Sequence, residues 1–212
     1  MKNNDGRLIK GEAMRARLVE TALKVFAERG FACATIKDLG AAAGMSPALL
    51  YHYFKSKEEL LQAVVERYSF VGDVRRLINA GESLPVRDFL KALAGRFYEL
   101  MGERLELMKI FLQEGASNET VAAAWKGLLN QGFPLLKGYF DRQIALGCLR
   151  PHNTEVTVRA LGTAIVMLRF TERVLPLQTV SGPEFIEQLI DNLLTGLYPN
   201  PAAGPAVGKT GR

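Results

Sequence analysis

The chain is poor in the residues that most often do chemistry. Among its 212 residues there are two cysteines, two histidines and one tryptophan. Cys33 and Cys148 are too few and too far apart for a disulfide framework or a zinc site, and they are expected to be buried small hydrophobes. His52 and His152 lie 100 positions apart, so no metal-spaced His/Cys cluster exists. No nucleophile elbow and no glycine-rich phosphate loop after a strand is present either, and the chain reads as a non-enzyme needing no cofactor or metal. Long apolar runs are also missing. The longest in the second half, Ala160–Leu168, is closed by Arg159 and Arg169 and is far too short to span a bilayer. With no apolar signal core near Met1, a cytoplasmic protein without membrane contact is expected. Alternating runs of strand composition are absent as well, so the fold is expected to be all-α with about nine helices.

Positive charge is present but unevenly spread. Residues 1–57 hold ten Lys and Arg against five Asp and Glu, while residues 58–212 are balanced, so the whole net charge of +5 lies in the first quarter. A basic segment of this kind is the footprint of a phosphate-facing module.

Within that quarter, residues 35–60 read TIKDLGAAAGMSPALLYHYFKSKEEL. Thr35 with Asp38 three residues on has the form of a capping box, and Ile36, Leu39 and Ala43 form an apolar stripe behind it. Gly44 falls where that helix must stop. Ser46 caps the next helix, with Pro47 at its first position, where a missing N–H is harmless. Ser56 caps a third helix, with Glu59 following. At about 100° per residue, Leu50 and Phe54 share the inward ridge of the middle helix. Ala48 and His52 point away from it, with Pro47, Tyr51, Leu49 and Tyr53 on the flanks. This is helix-turn-helix grammar, and it points to DNA.

These residues resemble the DNA-binding module of the TetR-type (TetR/AcrR) transcriptional regulators. The resemblance rests on Ala43-Gly44-Met45-Ser46, Leu50-Tyr51-His52-Tyr53-Phe54 and Lys55-Ser56-Lys57-Glu58-Glu59-Leu60. It implies phosphate contacts at Thr35, Ser46, Tyr51, Tyr53 and Lys57, and an approach to base edges at Pro47, Ala48, Leu49 and His52. Lys37 joins this set of DNA-facing candidates. The chain departs from the family pattern in its His52-Tyr53 order and in Pro47 and Leu49. Few of these side chains can form bidentate bonds to bases, so readout is expected to lean on thymine methyls, DNA shape and phosphate geometry.

Around this module a first helix is expected from about Gly11 to Arg29, closed by Gly30. Residues 1–10 read as a disordered tail or as a minor-groove arm. The DNA-binding domain is placed at residues 1–56, a helical regulatory and dimerisation domain at 57–198, and a disordered tail at 199–212. A connecting helix is expected from Lys57 to about Asn79, and Pro134 should kink or split the helix from about Glu119 to Leu146. Small residues on the helix after Thr154, including Ala160 and Thr163, and the adjacent rows Phe185, Leu189, Leu193 and Ile186, Ile190 on the last helix predict a four-helix homodimer interface.

The resemblance also implies a pocket for a small, largely apolar effector. Its candidates are Phe97, Met101, Met108, Phe111, Trp125, Phe133, Met167 and Phe170. Gln113, Asn130, Gln131, Arg169 and Glu172 could orient a ligand or face solvent. The expected function is a sequence-specific regulator, by family default a repressor, on a pseudo-palindromic operator. The alternative is a helical DNA-binding protein with no effector, or one answering to a protein partner.

Overall fold

The computed structural model describes residues 2–81, 83–174 and 180–197. Ten α-helices and no strand occur among the described residues: α1 Lys2–Arg29, α2 Ile36–Ala43, α3 Pro47–Tyr53, α4 Lys57–Tyr68, α5 Val71–Gly81, α6 Val86–Glu103, α7 Leu105–Glu114, α8 Glu119–Ala145, α9 Thr154–Val174 and α10 Gly182–Leu197. The all-α expectation holds. The expected tail at 199–212 lies outside the described residues.

Several boundaries differ from the sequence reading. α1 begins at Lys2 and not near Gly11. Residues 2–10 contain no proline, and adding turns to an existing helix costs far less than nucleating one. The expected helix from Lys57 to Asn79 is two helices. Ser69 leaves the helical region at ψ 140°, and its hydroxyl accepts a bond from the Val71 amide. A serine side chain thereby takes over a donor that would otherwise continue the helical ladder. α6 and α7 are likewise separated at Arg104, whose φ is −117°. Of the two outcomes expected at Pro134, a kink or a split, the split does not occur, since α8 runs on through it. The carbonyl four residues earlier, at Asn130, loses its intrahelical donor to the proline ring, but Asn130 is exposed and water can serve it. Cys33 and Cys148 are exposed, contrary to expectation. Each lies in a connection between helices and not on a core face.

The chain divides into two compact units, Met1–Val71 with Met101–Gln131, and Gly72–Leu100 with Gly132–Arg212. In the first, α1 packs on α2, α4 and α7. Leu18, Val19, Ala22, Leu23 and Phe26 of α1 are buried, as the apolar stripe predicts. Leu39, Leu50, Phe54, Leu60, Leu61 and Phe111 join them in this core. The unit that contains the helix-turn-helix therefore also contains α4, α7 and the first turns of α8.

In the second unit, Phe89 and Leu90 of α6, Tyr139 and Phe140 of α8, Leu161 and Ile165 of α9, and Ile186, Ile190 and Leu194 of α10 are buried. The Phe89 and Tyr139 rings lie 4.2 Å apart. A charged seam joins α6 to α10. Arg87 grips Asp191 through two bonds of 2.8 and 2.7 Å, and Lys91 donates to Glu187 at 2.7 Å. The Arg87 guanidinium, followed by Lys91, holds the Asp191 carboxyl at about 2, below its ordinary 3.8. A carboxylate with a depressed folded-state pKa adds stability above its unfolded pKa and loses it as pH falls through the folded one. Asp191→Asn should therefore lower the melting temperature at pH 6, and its deficit should shrink as pH drops from about 4 toward 2. Thermal melts of both proteins across that range check this. A deficit that is constant with pH would show that the carboxylate contributes through packing and not through charge.

Candidate nucleic-acid interface

The helix-turn-helix is assembled from local rules that the sequence carries. Thr35 accepts a bond from the Asp38 amide while the Asp38 carboxylate accepts from the Thr35 amide, closing the capping box. Asp38 also accepts from Arg29 at 2.8 Å. The Thr35 bonds, led by its hydroxyl, and then the cations Arg29 and Lys37 hold the Asp38 carboxyl below its usual range. Gly44 takes φ 68° and returns its amide to the Ala41 and Gly40 carbonyls. A Cβ on Gly40 would stand 2.8 Å from the Met45 carbonyl oxygen, so this helical glycine lets the turn into α3 close tightly. Ser46 accepts from the Leu49 amide at 3.2 Å, and Pro47 opens α3.

On α3 the predicted sides are realised. Leu50 and Phe54 are wholly buried. Pro47, Ala48, Leu49, Tyr51 and His52 are exposed, Leu49 to 41% and Tyr51 to 52%, while Tyr53 is half-buried. The His52 ring stands edge-on to Tyr53, with centroids 5.2 Å apart. The exposed surface is thus small and apolar at its N-terminal end and carries a phenol and an imidazole one turn further on. Such a face can enter a groove closely, touch thymine methyls and donate to phosphates.

Three of the named polar residues are partly committed inside the fold. The Thr35 hydroxyl donates to Asp38 at 2.6 Å besides accepting from its amide. Ser46 uses an acceptor site for its cap and keeps its O–H for an outside partner. Lys57 donates to the carbonyls of Phe31, Ala32 and Ala34 at 2.7, 3.2 and 3.0 Å, and its ammonium sits 4.4 Å from the Phe31 ring centroid. Its charge is spent on the α1–α2 loop. Lys37 is exposed on α2. Glu59 accepts from the Lys55 amide and not from the Ser56 amide that a strict capping box would use. Arg15, which the sequence reading passed over, holds its guanidinium 4.8 Å from the ring centroid of Phe54 at the end of α3. Its partner is 39 positions away, so no local pattern announces it.

The effector candidates are less coherent. Met101, Met108 and Phe111 are buried in the first unit, where Phe111 stacks on the half-buried Trp125 at 5.6 Å with nearly parallel planes. Phe97, Phe133, Met167 and Phe170 belong to the second unit. Phe133 lies under the Arg159 guanidinium at 5.4 Å. A surface cleft between α4 and the start of α8, floored by Leu61 and Ala123 and edged by Glu58 and Glu119, has none of the eight among its lining residues. Arg169 and Glu172 satisfy each other at 2.9 Å together with Tyr98, whose hydroxyl donates to Glu172 at 2.7 Å. Burial, followed by the Glu172 carboxylate, pushes the Tyr98 phenol above its ordinary range. Tyr98 is the member of this cluster that the sequence did not flag.

Of the dimer candidates, Ala160 and Thr163 are exposed, and Phe185, Leu189 and Leu193 are half-buried. Ile186 and Ile190 are buried in their own unit and cannot meet a partner, which corrects the assignment of both rows of α10 to the interface. Val156 and Met167, 60% and 36% exposed, extend the open face of α9.

Replacing Lys57 with Met keeps the stem and removes the donors to three carbonyls. Unfolding in urea should show a loss of about 1–3 kcal/mol. An unchanged midpoint would mean that water replaces the ammonium without cost.

Residues 18–64 match the family described as bacterial regulatory proteins, tetR family. The chain is 30% identical over 125 residues to the HTH-type transcriptional regulator UidR of Escherichia coli (strain K12), a match covering 58% of this chain and 62% of that protein. It is 31% identical over 102 residues to the HTH-type transcriptional repressor KstR2 of Rhodococcus jostii (strain RHA1), covering 47% of this chain and 49% of the repressor. The chain thus spans about half to three fifths of the length of these curated relatives. Among solved structures, the ketosteroid transcriptional regulator KstR2 of Mycobacterium tuberculosis superposes with a TM-score of 0.64 at 22% identity, covering 88% of this chain and 95% of that one. Among the described residues, no helix is long and apolar enough to cross a membrane.

Proposed function

We propose that the chain is a TetR-type regulator that binds a pseudo-palindromic operator as a homodimer and regulates transcription, acting as a repressor that a small, largely apolar effector releases, a reading supported by the family match over residues 18–64 and by the likeness to named transcriptional regulators. The observation that carries the DNA-binding part is the surface of α3. Five of its seven residues are exposed on a helix anchored by the fully buried Leu50 and by Phe54 just beyond its end. The net charge confined to residues 1–57 supports the same partner. The dimer reading is supported by the open face Val156, Ala160, Thr163 and Met167 on α9 and by Phe185, Leu189 and Leu193 on α10. Two α3 helices related by a two-fold axis would read half-sites about one helical turn apart, or a multiple of it. The effector would act by favouring an arrangement in which α4 carries the two recognition helices out of that spacing, and by linkage operator DNA would weaken effector binding by the same factor.

The second reading, a DNA-binding protein with no small-molecule effector, draws on the complete burial of Met101 and Phe111, which pack as core and line no described cleft. Equilibrium titrations with an apolar compound library separate the two, since only an effector lowers operator affinity.

Footprinting on DNA upstream of the protein's own gene tests the DNA reading. Two protected half-sites are expected, and uniform protection would overturn operator recognition. On such a site, His52→Ala and Tyr51→Phe should each weaken binding about five- to tenfold. Wild-type affinity in both variants would place the DNA elsewhere. Thr163→Arg puts a charge into the α9 face and should turn a sedimenting dimer into a monomer at micromolar concentration. An unchanged dimer would move the interface off α9.

A further inference from the structure

The α1–α2 loop is held from two sides by opposite charges. From α4, Lys57 donates to the carbonyls of Phe31, Ala32 and Ala34. From α7, the Glu114 carboxylate accepts the Ala32 amide at 2.9 Å across 82 positions of sequence. Ala32 therefore has both of its backbone groups tied to charged side chains. Gly30, which opens the loop, has φ 80°, and a Cβ there would collide with the same Glu114 carboxylate. The loop ends at Thr35, the cap of α2, so its position sets where α2 begins and through the Gly44 turn where α3 points.

Glu114 stands on a stiff corner. The next amide, Gly115, closes on the Phe111 carbonyl at 2.8 Å, and a Cβ on Gly115 would run into Trp125. Asn118 donates its amide to the Glu114 carbonyl at 2.8 Å, and its side chain caps α8 through the Thr120 and Val121 amides. The Phe111–Trp125 stack fastens α7 to α8 behind this turn. The only tryptophan of the chain thus reports on the corner that carries Glu114.

We infer that Glu114 is a positioning residue for DNA binding, through which the α7–α8 corner fixes the α1–α2 loop and so the attitude of α2 and α3. This rests on the reading that α3 is the DNA-contacting helix. Glu114 acts through its acceptor oxygen on the Ala32 amide, so the chemistry predicts a contrast between two substitutions. Gln keeps a carbonyl oxygen for that amide and loses the charge; Ala loses both.

The experiment measures operator and bulk-DNA affinity, Ala32 amide exchange and Trp125 emission for the full chain and for Glu114→Ala and Glu114→Gln. Operator affinity should fall about tenfold or more in the alanine variant and stay within about threefold of wild type in the glutamine variant. Bulk-DNA affinity should be unchanged in both, because the phosphate-facing cations are intact. Operator addition should shift Trp125 emission in the wild type and not in the alanine variant. Wild-type operator affinity in Glu114→Ala would overturn the assignment. An equal loss in both variants would overturn it too, since charge and not the acceptor would then be responsible. If the alanine variant does not fold, amide exchange in the wild type decides, because an Ala32 amide exchanging like a free one would mean that Glu114 holds nothing. A wild-type protein without any operator preference would instead remove the DNA reading, while the exchange rates would still judge the clamp by itself.

Discussion

A helix of seven residues has no stability of its own in water, since nucleation alone outweighs the few hydrogen bonds it makes. α3 exists because Leu50 within it and Phe54 at its end are withdrawn completely from solvent. Every functional property assigned to its outer face depends on that anchoring. Burying two side chains of this size is worth about 1.5–3 kcal/mol each, and the caps at Ser46 and Gly44 fix where the helix starts relative to α2. The outer residues are then free to be chosen for a partner, which is why a proline, an alanine and a leucine can stand exposed beside a tyrosine and a histidine.

The module is held to its surroundings by charge as well as by packing. Lys57 and Glu114 converge on one short loop from opposite helices, and each satisfies backbone groups that the loop itself cannot pair. Charge-assisted bonds of this kind are stronger and more directional than neutral ones. Arg15, exposed on α1 with its guanidinium over the Phe54 ring, is a second cation engaged with the fold. The excess positive charge of residues 1–57 is therefore not all free to face phosphate. Lys37, exposed on α2, remains the candidate cation with an open ammonium surface.

What the sequence made legible was what is local. Caps at Thr35, Ser46 and Ser56, the stop at Gly44 and the inward ridge of Leu50 and Phe54 all follow from spacings of four residues or fewer, and the structure places them as expected. The roles of Lys57, Glu114 and Tyr98 were not legible, because their partners are 23 or more positions away and are backbone carbonyls, an amide, or a carboxylate on another helix. The break at Ser69 was hidden for another reason. Serine is tolerated in helices, and only its bond to the Val71 amide shows that it ends one here. On α10 the sequence offered two adjacent apolar rows and no means of ranking them. The structure buries Ile186 and Ile190 and leaves Phe185 and Leu189 half-open. The cysteines were misjudged because a residue's mean tendency to burial says nothing about a turn.

The central claim is that α3 reads sequence and does not merely adhere to phosphate. The most direct test is the ratio of affinity for a protected segment to affinity for bulk DNA, measured by competition at physiological salt. The account predicts a ratio of about 10³ or more, carried by the outer face of α3. A ratio near one, with affinity governed by salt alone, would contradict it.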